Sequence, residues 1–455
     1  MANCFVDHNK NSIPVTVLTS AEFENWLTKQ NPFTQSWLQD VHYKAEAGNT
    51  IYLPNEQGKF SRVLCCINDS KNFWGVGNLP LSLPEGIYEL EVMDTEFENF
   101  AIAWGLGAYQ FTRYKKSNKN PSQLFLDKNK NSHKITNIVE SIYWVRDLIN
   151  TPTDDMGPTE LSAETKKLAK QYRASFSEVV GDKLLKENYA SIHTVGRASD
   201  DEPRLLDLRW GNTKNPKITL VGKGVCFDTG GLDLKSSNAM LLMKKDMGGA
   251  AHALGLARMI MEANLAVNLR VLIPAVENSV SGNAYRPGDV ITSRKGLTIE
   301  VGNTDAEGRV VLADALTEAA REKPDLIIDL STLTGAARIA LGTEIAALFS
   351  NDDKLAQDIT YHSEKQSDPI WRLPLFSQYR DSLNSSIADI NNATSDSYAG
   401  AITAALFLKE FVPDDISWVH FDMMAWNLKS RPGRPAGGEA MALRALFSYL
   451  STKYQ

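Results

Sequence analysis

Three short segments of the chain combine glycine with ionisable side chains in a way that points to chemistry. The first, VGKGVCFDTGGLDLK at 221–235, sets Lys223 and Asp228 among Gly222, Gly224, Gly230 and Gly231 and ends on Lys235. Glycine lets a backbone approach a ligand closely or take a positive φ, so the segment reads as a loop built around an ion or a substrate; the plainer reading is a tight turn with a solvated Lys and Asp. The GxxxxGK[ST] order of a phosphate-binding loop is absent. The second, MKKDMGGAA at 243–251, places Asp246 at the start of a small-residue helix, where a carboxylate also suits the helix dipole without any metal. The third, NTDAEGRVVLADAL at 303–316, packs Asp305, Glu307 and Arg309 into five residues. Thr304 followed by Glu307 also has the form of a capping box opening a helix.

Taken together, Asp228, Asp246, Asp305 and Glu307 are four carboxylates that would repel one another in a partly buried cleft. Two divalent cations would neutralise them. Oxygen-rich sites suit Mg²⁺ or Mn²⁺, and Zn²⁺ accepts carboxylates and also an amine nitrogen. Lys223 could join such a site only as the neutral amine, so its pKa must fall from about 10.4, and metal loading should weaken as pH falls.

These loops must be positioned by a sheet. From Lys217 onward, apolar runs (217–221, 269–276, 326–330 and 417–424) alternate with amphipathic helical segments over 247–263 and 310–322. The pattern predicts an α/β fold whose mixed, mostly parallel sheet is flanked by helices, with reactive side chains in the loops after the strands. A hairpin is expected over 289–301, turning at Lys295-Gly296. The stretch 1–134 reads as a smaller amino-terminal α/β domain, with strands at 62–67 and 86–93, a helix at 98–111 and a polar loop at 115–133. A linker helix is expected over 135–150, and the two prolines of TPTDDMGP start the carboxy-terminal domain, 151–455.

At 455 residues the chain exceeds the roughly 250–300 residues over which a single core keeps growing. A formal net charge of −7 disfavours a protein whose main task is coating nucleic acid. The four cysteines (Cys4, Cys65, Cys66, Cys226) lack zinc-ribbon or disulfide-framework spacing, and the Cys65–Cys66 pair fits a buried strand. MANCFVDHNKNSIPVTVLTS carries no basic leader and apolar run, and no stretch reaches the roughly 18 apolar residues of a membrane span, so a cytoplasmic, non-membrane protein is expected.

VGKGVCFDTGG, Lys235, MKKDMGG and NTDAEGR closely resemble the cytosol (leucyl) aminopeptidase family, and the likeness runs from about Arg146 to the carboxyl terminus, including TLTGAA at 332–337 and AGAITAALFLKEFV at 399–412. GLGAYQFTRYK at 105–115 is a weaker match in the smaller domain. The resemblance implies a metal-dependent aminopeptidase releasing leucine and other apolar residues from peptides with a free amino terminus. It implies one metal on Lys223, Asp228, Asp246 and Glu307, and another on Asp228, Asp305 and Glu307. Lys235 would stabilise the oxyanion, and Arg309, which cannot act as a base, would hold a bicarbonate. Thr332, Leu333 and Gly335 would orient the substrate through their backbones, and Met243 would line a largely apolar pocket for the first side chain. His252 is expected to be a packing or surface residue. A homohexamer is implied, with the smaller domain governing assembly and access.

Three positions depart from the family pattern: Cys226 where Thr or Ser is usual, Val310 where Leu is usual, and Asn283-Ala284. None is a ligand, although an exposed Cys226 thiol would make activity sensitive to oxidation. Two other functions compete. A DNA-binding or regulatory hexamer retaining the peptidase fold would need the basic run 115–134 as a binding stripe, and a two-metal phosphoesterase would use a similar carboxylate cluster.

Overall fold

The computed structural model describes residues 4–69, 72–128 and 131–455. The chain divides into two compact units, one comprising Met1–Tyr143 with Lys429–Ala436, the other Trp144–Leu428 with Gly437–Gln455. The division falls inside the helix Ser132–Asn150, and the sequence did not signal that 429–436 would join the first unit.

The first unit holds a six-stranded sheet built from β1 (Phe5–Val6), β2 (Ile13–Thr19), β3 (Thr50–Pro54), β4 (Phe60–Ile67), β5 (Ile87–Glu91) and β6 (Gln123–Phe125), in the order β1-β6-β5-β2-β4-β3. Only the β3–β4 pair is antiparallel. Cys65 and Cys66 are buried in β4, as its apolar run predicts. The helix Asp94–Gly107 buries nine residues, Trp104 among them. The expected loop at 115–133 needs correction: its QLF segment is β6, paired with both β1 and β5, and residue 132 already begins a helix. Residues 129 and 130 of that run lie outside the described residues.

In the second unit, Pro158 opens the helix Pro158–Tyr172, where the prolines of TPTDDMGP predict a new segment. The main sheet has nine strands: β7 (Ser175–Val180), β8 (Arg204–Gly211), β9 (Lys217–Gly222), β10 (Gly224–Asp228), β11 (Asn268–Asn278), β14 (Leu326–Ser331), β15 (Ala346–Ser350), β16 (Ile370–Arg372) and β18 (Trp418–Asp422). Their order is β16-β15-β18-β14-β9-β11-β8-β7, with β10 alongside the end of β11. The centre, β18-β14-β9-β11, is parallel, and antiparallel pairs occur toward the sides. This is why the central strands read as continuous apolar runs, since helices cover both faces of a parallel sheet. The expected hairpin is present as β12 (Val290–Thr292) and β13 (Thr298–Glu300), with Gly296 at φ 90° in its turn; β13 also pairs with β17 (Ile390–Asn391).

The helix Gly248–Glu262 starts hard against the sheet. A Cβ on Gly249 would lie 2.0 Å from the Leu330 carbonyl oxygen and 2.8 Å from the Lys223 nitrogen, so only glycine admits this approach. The carboxyl ends of β9, β10 and β14 and the starts of the helices Gly248–Glu262 and Glu307–Arg321 thereby converge.

Candidate metal centre

β9 delivers Lys223 directly at its end, and β10 carries Asp228 as its last residue, in register with Asn278 at the end of β11. Asp228 Oδ1 accepts hydrogen bonds from the Gly230 amide and from Asn278 Nδ2, both at 2.9 Å. The chain then turns through Gly230 and Gly231, with φ of 87° and 64°, and returns Lys235 to the same place.

Asp246 lies in the 3-10 turn Met243–Met247, just ahead of the helix, and does not cap it. Its Oδ2 accepts from Lys223 Nζ at 2.6 Å and its Oδ1 from Thr332 Oγ1 at 2.8 Å. The capping box expected at Thr304 and Glu307 is also absent. Thr304 Oγ1 instead donates to the Gly230 carbonyl at 2.6 Å and accepts from the Asp233 amide at 2.8 Å, tying the third loop to the first. Glu307, the first residue of its helix, turns inward and lies 2.8 Å from Lys223 Nζ.

Two lysines therefore pair with four carboxylates. Lys223 sits between Asp246 and Glu307, while Lys235 lies 2.8 Å from Asp228 and is also hydrogen-bonded to Asp305. Asp228, Asp305 and Glu307 offer oxygens within 4.8 Å of one another, close enough to share a metal ion. All are buried except Asp305, which is half-buried. Crowding shows in their acidities: burial and the neighbouring Asp228 push Asp305 up to about 6 and Glu307 up to about 8. Burial opposes charge on Asp246 too, but Lys223 and Lys245 outweigh it and hold its pKa below the usual value. Burial likewise opposes charge on Lys223, and the carboxylates of Asp246, Glu307 and Asp228 overcome it and raise its pKa. Without cations Lys223 is thus an ammonium, the reverse of the neutral amine that ligation requires. The donor set fits hard divalent cations: carboxylate oxygens predominate, and their crowding raises the pKa of Asp305 and Glu307 in the absence of cations.

Arg309 is buried on the same helix, with Nη1 donating to the Asn392 carbonyl at 2.8 Å and Nε without a hydrogen-bond partner. Burial lowers its pKa to about 10, which still leaves it charged at neutral pH. Met243 is buried in the turn that carries Asp246, and Gly335 opens the helix Gly335–Leu341. The Leu333 amide is already committed, donating to Asp422 Oδ1 at 2.9 Å, with the Thr334 amide and hydroxyl on the same carboxylate. Asp422, Asn278 and Asn392 were not singled out from sequence. For Asp422 the available signal is a carboxylate at the end of the strand run 417–424.

Cys226 is fully buried and its thiol pKa is raised well above the ordinary value, first by burial, so the exposed, oxidation-sensitive thiol does not occur. His252 is a packing residue within its helix, fully buried.

Residues 143–447 match the model of the cytosol aminopeptidase family, catalytic domain, and residues 13–127 match the M17 aminopeptidase, N-terminal domain. The chain belongs to the cytosol aminopeptidase family. Within the family it is 44% identical over 320 residues to a probable cytosol aminopeptidase of Chlamydia abortus, a match covering 69% of this chain and 64% of that protein. It is 43% identical over 320 residues to peptidase B of Serratia proteamaculans, covering 68% of this chain and 74% of that one. The crystal structure of the cytosol aminopeptidase from Coxiella burnetii, 51% identical, covers 100% of both chains with a TM-score of 0.97. The bottromycin maturation enzyme BotP in complex with Mn, 29% identical, covers 97% of this chain and 99% of its own with a TM-score of 0.87. Among the described residues no helix is long and apolar enough to cross a membrane.

Proposed function

We propose that the protein is a two-metal aminopeptidase that hydrolyses the first peptide bond of substrates with a free amino terminus. The observation that carries the reading is the convergence of Asp228, Asp305 and Glu307 within 4.8 Å at the strand ends, beside Lys223 and Asp246, in a chain of this family. Lys223, Asp228, Asp246 and Glu307 would hold one cation, and Asp228, Asp305 and Glu307 the other. The cations would supply Lewis acidity and a hydroxide nucleophile near neutral pH.

The chain's own groups complete the task. Lys235, paired with Asp228 and Asp305 in the absence of cations, would be free to face the oxygen of the scissile carbonyl where those carboxylates held metal. Arg309 keeps its charge and has an unsatisfied Nε to offer a bicarbonate, which would pass the proton to the leaving amine. The strip Thr332, Leu333 and Gly335 would orient the substrate backbone, with Asp422 fixing the strip through the Leu333 and Thr334 amides. Met243 would face the first side chain. The preference for leucine and other apolar residues that the family implies rests on that apolar contact.

Manganese is the first ion to test, given that the related BotP was solved in complex with Mn. Metal-stripped protein is expected to release leucine from leucinamide only after Mn²⁺, Zn²⁺ or Mg²⁺ is restored. No turnover by fully metallated, folded protein across a panel of free-amine peptides would defeat the proposal. A homohexamer is the assembly the family implies, and sedimentation measures it. A DNA-binding role finds less support, since Lys119 donates to the Leu81 carbonyl and Lys128 and Lys134 pair with Asp7 and Glu98, which uses up much of the basic run.

A further inference from the structure

In the sheet of the first unit β2 and β5 are parallel neighbours, yet the chain leaves β2 toward β3 and β4 on one side and leaves β5 toward β6 on the other. Connections that diverge from adjacent parallel strands open a crevice at their carboxyl ends, where ligands of α/β sheets gather. A crevice of about 580 Å³ lies there, lined by the ends of β2 and β5 and by the helices Ser20–Leu27 and Asp94–Gly107 that follow them. No residue of the metal centre belongs to it. Its base is already fixed. Thr16, 6% exposed and in register with Glu91, donates its hydroxyl to that carboxylate at 2.6 Å, and Arg62 bonds to both. Glu22 is engaged too, accepting from the Thr19 amide and hydroxyl at 2.7 and 2.8 Å. Two groups of opposite charge are left over: Glu96, on the helix Asp94–Gly107, and Lys29, just past the helix Ser20–Leu27, line the crevice and form no ion pair among the described residues. Trp26, Phe100 and Met93, the last 60% exposed, give the same crevice an apolar wall.

A lone anion there would meet three glutamates, and a lone cation would leave Lys29 unanswered. A small zwitterion with an apolar body answers both charges and covers the exposed methionine. We infer that the crevice is a second binding site, separate from the metal centre, for a free amino acid with an apolar side chain. Its ammonium would pair with Glu96, its carboxylate with Lys29, and its side chain would pack against Trp26 and Met93. The inference goes beyond the aminopeptidase reading and does not depend on it, although amino acids of this class are what the proposed reaction would release.

Calorimetric titration of the manganese-loaded full chain tests it, with leucine and two truncated analogues: isocaproate, which lacks the amine, and isoamylamine, which lacks the carboxylate. Leucine is expected to bind saturably in a phase that Glu96→Gln and Lys29→Met each weaken by at least roughly fivefold, the scale of one charge-assisted hydrogen bond in an open crevice. Each analogue should bind more weakly than leucine by a similar factor. Lys29 is exposed and Glu96 half-buried, so both variants should keep the wild-type circular dichroism and melting temperature. Leucine binding unchanged in both variants would put the amino acid at the metal centre alone, and isoamylamine binding as tightly as leucine would make the crevice a simple cation site. Either result, or no saturable leucine binding, overturns the inference. Leucine bound in this phase by folded protein that turns over no peptide would leave the second site standing and bring down only the aminopeptidase reading.

Discussion

A Cβ added to Gly308 would lie 2.4 Å from Cε of Lys223 and 2.8 Å from its Nζ. The helix Glu307–Arg321 therefore presses its second residue onto the lysine that bridges Asp246 and Glu307. Alanine is the better helix former by about 1 kcal/mol, so Gly308→Ala should leave the helix intact. It should nevertheless push Lys223 off its partners. The expected outcome is a correctly folded variant that loses at least roughly tenfold in turnover and binds one cation more weakly by calorimetry, as misplacing a site group costs rate. Unchanged affinity for both cations would mean that Lys223 takes no part in holding them.

The carboxylates and Arg309 should separate by what they do to metal content. Asp305→Ala or Glu307→Ala removes a member of the 4.8 Å cluster and is expected to abolish turnover and lower bound metal measured by elemental analysis. Arg309 donates its hydrogen bond to the Asn392 carbonyl and forms no ion pair with the cluster among the described residues, so Arg309→Ala should retain metal while slowing turnover by roughly 10²-fold, the scale of lost proton transfer. Full occupancy and normal rates in both carboxylate variants would refute the site.

Metal binding should be proton-linked. Glu307 is pushed up to about 8 and Asp305 up to about 6, and the carboxylates raise the pKa of Lys223, so in the metal-free protein protons occupy groups that cations need. Lowering the pH from 8 to 6 adds protons to Glu307 and then Asp305, and the apparent affinity must fall over that window. Calorimetry in buffers of different ionisation enthalpy should also detect proton release on binding. A pH-independent affinity without proton release would contradict this account of the electrostatics.

The central strands were legible because burial on both faces leaves continuous apolar runs, and the reactive loops because glycine and charge follow those runs directly. What sequence missed depends on closure in three dimensions. The strand Gln123–Phe125 is three residues long inside a Lys- and Asn-rich stretch, and only its neighbours on either side make it a strand. Thr304 and Glu307 have capping-box spacing, yet a contact to Gly230 and an ion pair to Lys223 outcompete the local arrangement. Asp422 reaches the Leu333 amide from 89 residues away, a pairing that no local pattern encodes.

His252 ties the helix Gly248–Glu262 to the segment at Met441. In the neutral tautomer that satisfies both contacts, Nδ1–H donates to the Gly248 carbonyl at 2.6 Å while Nε2 accepts from the Met441 amide at 2.9 Å. Burial pushes the pKa of His252 down to about 4, and a protonated ring would also turn its second N–H against the Met441 N–H. Because the folded value lies below the unfolded one of about 6.5, the unfolded chain takes up the proton first as pH falls. The neutral ring's contribution is fully present above pH 6.5 and is lost between 6.5 and 4, up to about 3 kcal/mol. Replacing it by His252→Gln removes that titration. Urea denaturation should therefore show the stability gap between wild type and variant narrowing from pH 7.5 to pH 4.5, and a gap that stays constant would mean the buried imidazole does not titrate as its two hydrogen bonds require.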